Sequence, residues 1–174
     1  LWEKAGDKKN LAIGLGNVAI QQMVIGALSA AERNLRRQID LCREIADEFV
    51  EGTGHQELGR ALSYRGAWQE TEQELDTGLK LFEKHSQVQP QCVIWSYRAL
   101  RFLLMAREAV DSDQSQIANL KSSIECAQRA LEMADEQAKN YPVSRDYVRA
   151  HWLLGAAYRA NNELTLAEEN LSKA

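Results

Sequence analysis

Residues 151–174 read HWLLGAAYRANNELTLAEENLSKA, and this stretch decides the fold. Leu154-Gly155 and Tyr158 stand before Asn161-Asn162, and Ala167, Leu171 and Ala174 follow it. Steps of three and four residues place one apolar stripe on each of two helices, and the paired asparagines turn the chain between them. Thr165-x-x-Glu168 reads as a capping box for the second helix.

The same pairing extends through the chain. Leu58-Gly59, Leu62, Gly66, Trp68, Leu75 and Gly78 repeat the pattern with the same spacings. Val18-Ala19, Gly26, Leu28, Ala31 and Leu35 form an earlier copy. Trp95, Ala99 and Phe102 begin a further one, completed after an insertion by Ser123, Ala127 and Ala130. The punctuation predicts helices over about 10–25, then from Ser29-x-x-Glu32 to about Phe49, where Gly52-Thr53-Gly54 breaks the chain. Others follow over about 55–65, 68–85 and 90–110, the last opened by Pro90. Asp111 to Ser115 read as a loop, with a long helix after it to about Asn140 and another over about 144–159.

Composition agrees with an all-α chain. Only 2 prolines occur in 174 residues, and Val, Ile and Thr are outnumbered by helix formers. Hydrophobic residues at 45% and charged residues at 26% exclude a disordered tail and a disulfide miniprotein. A formal net charge of −4 argues against a nucleic-acid binder. The uncharged stretch between Lys9 and Glu32 is long enough to span a bilayer, but Asn17, Gln21 and Gln22 inside it argue against a membrane segment. No secretory signal pattern opens the chain. Cys42, Cys92 and Cys126 are dispersed, with no Cys-x-x-Cys, and read as reduced buried thiols of a cytoplasmic protein.

These residues resemble the tetratricopeptide repeat. Its small eighth and twentieth residues let two helices approach closely, and its large residues fill the space towards the next helix. The resemblance implies a right-handed superhelix of antiparallel helix pairs, an α-solenoid. It spans 1–174 as a single array cut from a longer chain, with repeats at about 11–50, 54–86, 90–140 and 144–174 and an insertion near 107–118. Leu1 to Asp7 read as the tail of an earlier helix. The eighth-position residues Ala19, Gly59, Ala99 and Gly155 lie 40, 40 and 56 residues apart, so the repeats are longer than the usual ~34. In this they look like those of kinesin light chain, or of the C-terminal arrays of STAND-type signal-transduction ATPases.

Other motifs read as structural. Gly14-x-Gly16-x-x-Ala19 fits a dinucleotide fingerprint but has no strand before it, so small residues for helix packing explain it better. His55, His85 and His151 have no metal spacing, and no metal or cofactor is expected. Arg33, Arg36, Arg37 and Arg43 form a stripe that Asp40, Glu44 and Asp47 can neutralise along the helix. Glu70/Glu74 and Glu168/Glu169 read as surface charges. No nucleophile elbow, zinc-protease motif or P-loop occurs, so no enzyme is expected.

The resemblance implies that first helices line a concave groove. Gln56, Arg60 and Tyr64 fall on it in the second repeat, Ser96, Leu100 and Leu103 in the third, and Arg149, Trp152 and Arg159 in the fourth. Arg60, Tyr64, Arg149, Trp152 and Arg159 are the expected anchors, because Tyr, Trp and Arg dominate binding hot spots. The carboxylate clamp of chaperone-binding members would fall on Gly16, Ile20, Glu57, Val93 and Tyr97, none of which matches it. The expected function is an interaction or regulatory module of a larger cytoplasmic protein, holding a peptide, helix or neighbouring domain of its own chain. The alternative is a small-molecule sensor array of a signal-transduction ATPase or transcription regulator. Exposure of Ile13, Ile20 or Val24 predicts dimers or end-to-end packing.

Overall fold

The structure is a computed structural model that describes residues 7–109 and 113–174. Among these the regular structure is entirely helical, in eight consecutive helices. They are α1 (Lys8–Val24), α2 (Leu28–Glu44), α3 (Glu48–Tyr64), α4 (Trp68–Lys84), α5 (Val88–Glu108), α6 (Asp113–Ala138), α7 (Ser144–Ala160) and α8 (Leu164–Leu171). The expectation for residues 1–6 lies outside the described residues.

The first five helices begin at 8, 28, 48, 68 and 88, twenty residues apart. Four of them are 17 residues long, joined by three-residue turns of one design. Gly26, Ala46 and Gly66 take left-handed φ of 76°, 53° and 73° at the middle of their turns. The next amide folds back onto the helix: Ala27 N donates to Gln22 O, Asp47 N to Cys42 O, and Ala67 N to Leu62 O, at 2.8, 3.0 and 3.1 Å. This is the Schellman closure, which satisfies carbonyls that a helix end leaves open. Asn162, at φ 62°, closes α7 in the same way through Glu163 N and Tyr158 O.

Three expected features are corrected. Gly52-Thr53-Gly54 does not break the chain but lies inside α3; the break falls at Ile45 to Asp47. The reason is close packing. A Cβ on Gly52 would sit 2.9 Å from Phe82 Cε1, and one on Gly54 would sit 2.8 Å from Ile39 Cγ1. Ser29 and Thr165 do not cap their helices, which start earlier, after Ala27 and Glu163 and without a side-chain cap. Gln114 and Ser115 belong to α6 rather than a loop, and the extra residues lengthen α5 to 21 and α6 to 26 residues.

The helices divide after His85 into two compact units. In the first, α1 to α4 pack each on the next, and α1 also meets α3. Ala19, Met23, Ala31, Leu35, Ile39, Leu58, Ala61 and Leu62 form its core. Burying a leucine of this kind contributes about 1.5–3 kcal/mol. In the second, α5 to α8 pack in sequence, and α5 also meets α7. Its core joins Ala99, Leu103, Leu120, Ala127, Leu153 and Ala157.

Small residues sit at the pair crossings as the spacing predicts. Gly59 faces Thr71 O and Leu75, and Gly155 faces Ala167 O and Leu171. Gly16 of the apparent fingerprint is buried against Gln38, within a helix rather than after a strand. Cys42, Cys92 and Cys126 are free and buried, as expected.

Candidate functional site

The structure sorts the nine expected groove residues into two groups. Gln56, Ser96, Leu100 and Leu103 are buried. Leu100 and Leu103 belong to the core of the second unit, and Ser96 Oγ donates to Cys92 O within α5 at 3.1 Å. These three fill the space between α5 and its neighbours rather than a binding surface, because helix–helix packing takes the α5 face that carries them. Gln56 donates to Glu57 Oε1 at 2.9 Å. Arg60 is half-buried and paired with Glu57 at 2.6 Å, and Tyr64 is exposed at the end of α3.

The α7 residues behave differently. Arg149, Trp152, Ala156 and Arg159 recur at three- and four-residue steps and share one helix face. Arg149 is held by the buried Asp146 at 2.9 Å and lies over the Tyr97 ring, 5.8 Å from its centre. Asp146 also accepts from Gln89 at 3.0 Å, which fixes this base of the helix against α5. One turn on, Trp152 is 47% exposed. It opens a cleft of about 450 Å³ lined by Arg107, Trp152, Ala156, Arg159, Ala160 and Leu171. Two of these were not legible from periodicity. Arg107 comes from the last turn of α5 and Leu171 from α8, and only the packing of α5 and α8 on α7 brings them there.

A second constellation appears where the sequence suggested only solvated charge. His55 is buried in α3. Its Nδ1 lies 2.5 Å from Glu74 Oε2 on α4, and its Nε2 lies 3.2 Å from Arg43 Nη2 on α2. Arg43 Nε donates to Glu51 at 2.7 Å. Arg36 pairs with Glu32 on its own helix and with Glu70 on α4, and Arg65 also pairs with Glu32. The expected partners along α2 are corrected for two of these arginines: Arg43 pairs with Glu51 on α3 and Arg36 with Glu70 on α4 as well as Glu32 on its own helix, while Glu44 and Asp47 pair with Lys8 and Lys9. Glu70 and Glu74 are cross-links between helices rather than free surface charges.

The adjoining recess is about 180 Å³, lined by Arg36, Ile39, Asp40, Arg43, His55, Leu58 and Glu74. No hydroxyl or thiol stands among those residues to serve as a nucleophile for His55. The arrangement ties α2, α3 and α4 together. Among the described residues no group of three His, Cys, Asp or Glu side chains is placed to hold a metal ion.

The thiols are chemically quiet. Desolvation, then the nearby Asp47 and Glu51, pushes Cys42 up to about 11. Desolvation, then Asp146, pushes Cys92 up to about 12. Little thiolate exists at neutral pH in either case. No helix among the described residues is long and apolar enough to cross a membrane.

No family model matches this chain, and no curated protein matches it.

Proposed function

We propose that this chain is a tetratricopeptide-like protein-interaction module of a larger cytoplasmic regulatory protein, binding a peptide, a helix or a neighbouring domain on the first helices of its pairs. One observation carries the reading: α7 presents an exposed Trp152 beside Arg159 on a helix face whose base is fixed by Asp146 and Arg149. A rigidly mounted, solvent-facing tryptophan with an adjacent arginine is the composition of a binding hot spot. The small residues at the pair crossings support a repeat of helix pairs, and right-handed stacking of those pairs belongs to the same reading. The α7 cleft is open to solvent, which favours a protein ligand over an enclosed small molecule.

Photo-cross-linking tests it. A benzoylphenylalanine at position 156 should capture a discrete partner, or another segment of the parent protein, while the same group at exposed Arg129 should not. Trp152→Ala should reduce the yield about tenfold, the loss expected of a hot-spot residue. Equal labelling from 156 and 129 would remove α7 as the binding face.

A further inference from the structure

We propose that the α5–α7–α8 cleft is a specificity pocket for an acidic segment that carries an apolar or aromatic side chain. The inference rests on the interaction-module reading and names the chemistry of its ligand.

The first argument is charge. Arg107 and Arg159 border the cleft, and no carboxylate is among its lining residues. Among the described residues neither guanidinium has an ion-pair partner. Arg149 is paired with Asp146, Arg129 with Glu132, Arg43 with Glu51 and Arg36 with Glu32 and Glu70, whereas among the described residues Arg33 and Arg145 stand singly on their helices. The whole chain carries −4, whereas the described residues lining this cleft include two cations and no carboxylate. Such a site attracts acidic partners and repels basic ones.

The second argument is shape. The same cleft is lined by the small side chains of Ala156 and Ala160, and its Trp152 and Leu171 are exposed. The apolar part of the cleft has room for a side chain, and its indole offers a face to stack on. Arg107 and Arg159 each lie in the last turn of a helix, where a cation complements the helix dipole. That placement accounts for two cations at helix ends. It does not account for an exposed tryptophan and apolar side chains lining the same cleft. A ligand pairing a carboxylate with an apolar group uses all of these features together. Arg107 and Leu171 lie outside the groove positions that the repeat resemblance implies, and they reach the cleft from α5 and α8.

Selection from a random peptide display library on the full 174-residue chain tests the proposal. The enriched peptides should carry Asp or Glu within a few residues of Trp, Phe or Leu. Their binding should fall about tenfold or more in Arg107→Glu/Arg159→Glu and weaken as salt is raised. Both arginines are exposed, so the thermal midpoint should not move. If it does, Arg107→Gln/Arg159→Gln replaces that variant. Enrichment of neutral or basic peptides, or equal binding by the variants, overturns this inference and leaves the interaction-module reading standing. No enrichment at all removes both.

Discussion

At the residue scale, the turns carry the clearest physical signature. Gly26, Ala46, Gly66 and Ser86 stand twenty residues apart, and each has positive φ. An L-residue pays about 1–2 kcal/mol for that conformation, and glycine does not. Ala46→Gly should therefore stabilise the protein by up to about 1 kcal/mol after the entropy cost of glycine. Gly26→Ala should cost a similar amount, and its cause is purely conformational because nothing lies within 4 Å of the added Cβ. Urea midpoints of the two variants should move in opposite directions. A second prediction concerns the thiols. With Cys42 and Cys92 fully buried and pushed up to about 11 and about 12, a disulfide reagent at pH 8 should leave both unlabelled until denaturant is added. Mass spectrometry after a labelling pulse would show this, and native labelling at the denatured rate would contradict it.

At the scale of the element, composition and close contact pull in different directions. Gly52 and Gly54 look like a break because glycine weakens a helix by about 1 kcal/mol each. They are tolerated because α2 and α4 approach α3 too closely for a Cβ. The break falls instead where Asp47 starts α3, its Oδ1 accepting from Val50 N at 3.2 Å and its carboxylate pairing with Lys9 at 2.9 Å. The hydrogen bond from Lys9, and then that from Val50, hold the Asp47 carboxyl below its ordinary 3.8 against a desolvation that raises it. Asp47→Ala should cost about 1 kcal/mol at neutral pH, as loss of an N-cap does. A lowered folded-state value means that this stability is present above pH 3.8 and is lost as pH falls through the lower folded value. The gap between parent and variant should narrow below pH 3.8 in urea titrations, and a gap constant with pH would separate the cap from the charge. At the crossings, Gly59→Ala should cost about 2 kcal/mol by overpacking, since its Cβ would meet the fully buried Leu75 at 2.6 Å. Gly155→Ala should cost less, because the Leu171 it meets is exposed and can swing away.

At the scale of the whole molecule, the first unit owns a core built from α1, α2 and α3, extended to α4 through Leu75 and Phe82. Residues 7–85 expressed alone should give a helical far-UV spectrum and one cooperative thermal transition. A broad, non-cooperative melt would mean that this core needs the rest of the chain. The polar ties among α2, α3 and α4 belong to the same scale. They join residues 19 apart (His55 and Glu74) and 34 apart (Arg36 and Glu70). No local pattern announces such pairs, because a charge on a helix surface reads alike whether it faces water or a neighbouring helix.

The sequence by itself determined the helix pairs. Three- and four-residue spacing of Leu, Ala and Gly specifies an apolar stripe on a helix, and the small residues Ala19, Gly59, Ala99 and Gly155 mark where a partner helix crosses. These properties depend on neighbours within one or two turns, so a linear reading captures them. Tertiary structure alone decided which stripes were consumed by packing. It buried Ser96, Leu100 and Leu103, kept Trp152 exposed, and brought Arg107 and Leu171 from two other helices to the same cleft. The physical reason is that exposure is a property of a helix face together with whatever lies against it. Arg107 and Trp152 are 45 residues apart in the chain, and only the packing of α5 and α8 on α7 makes them parts of one cleft.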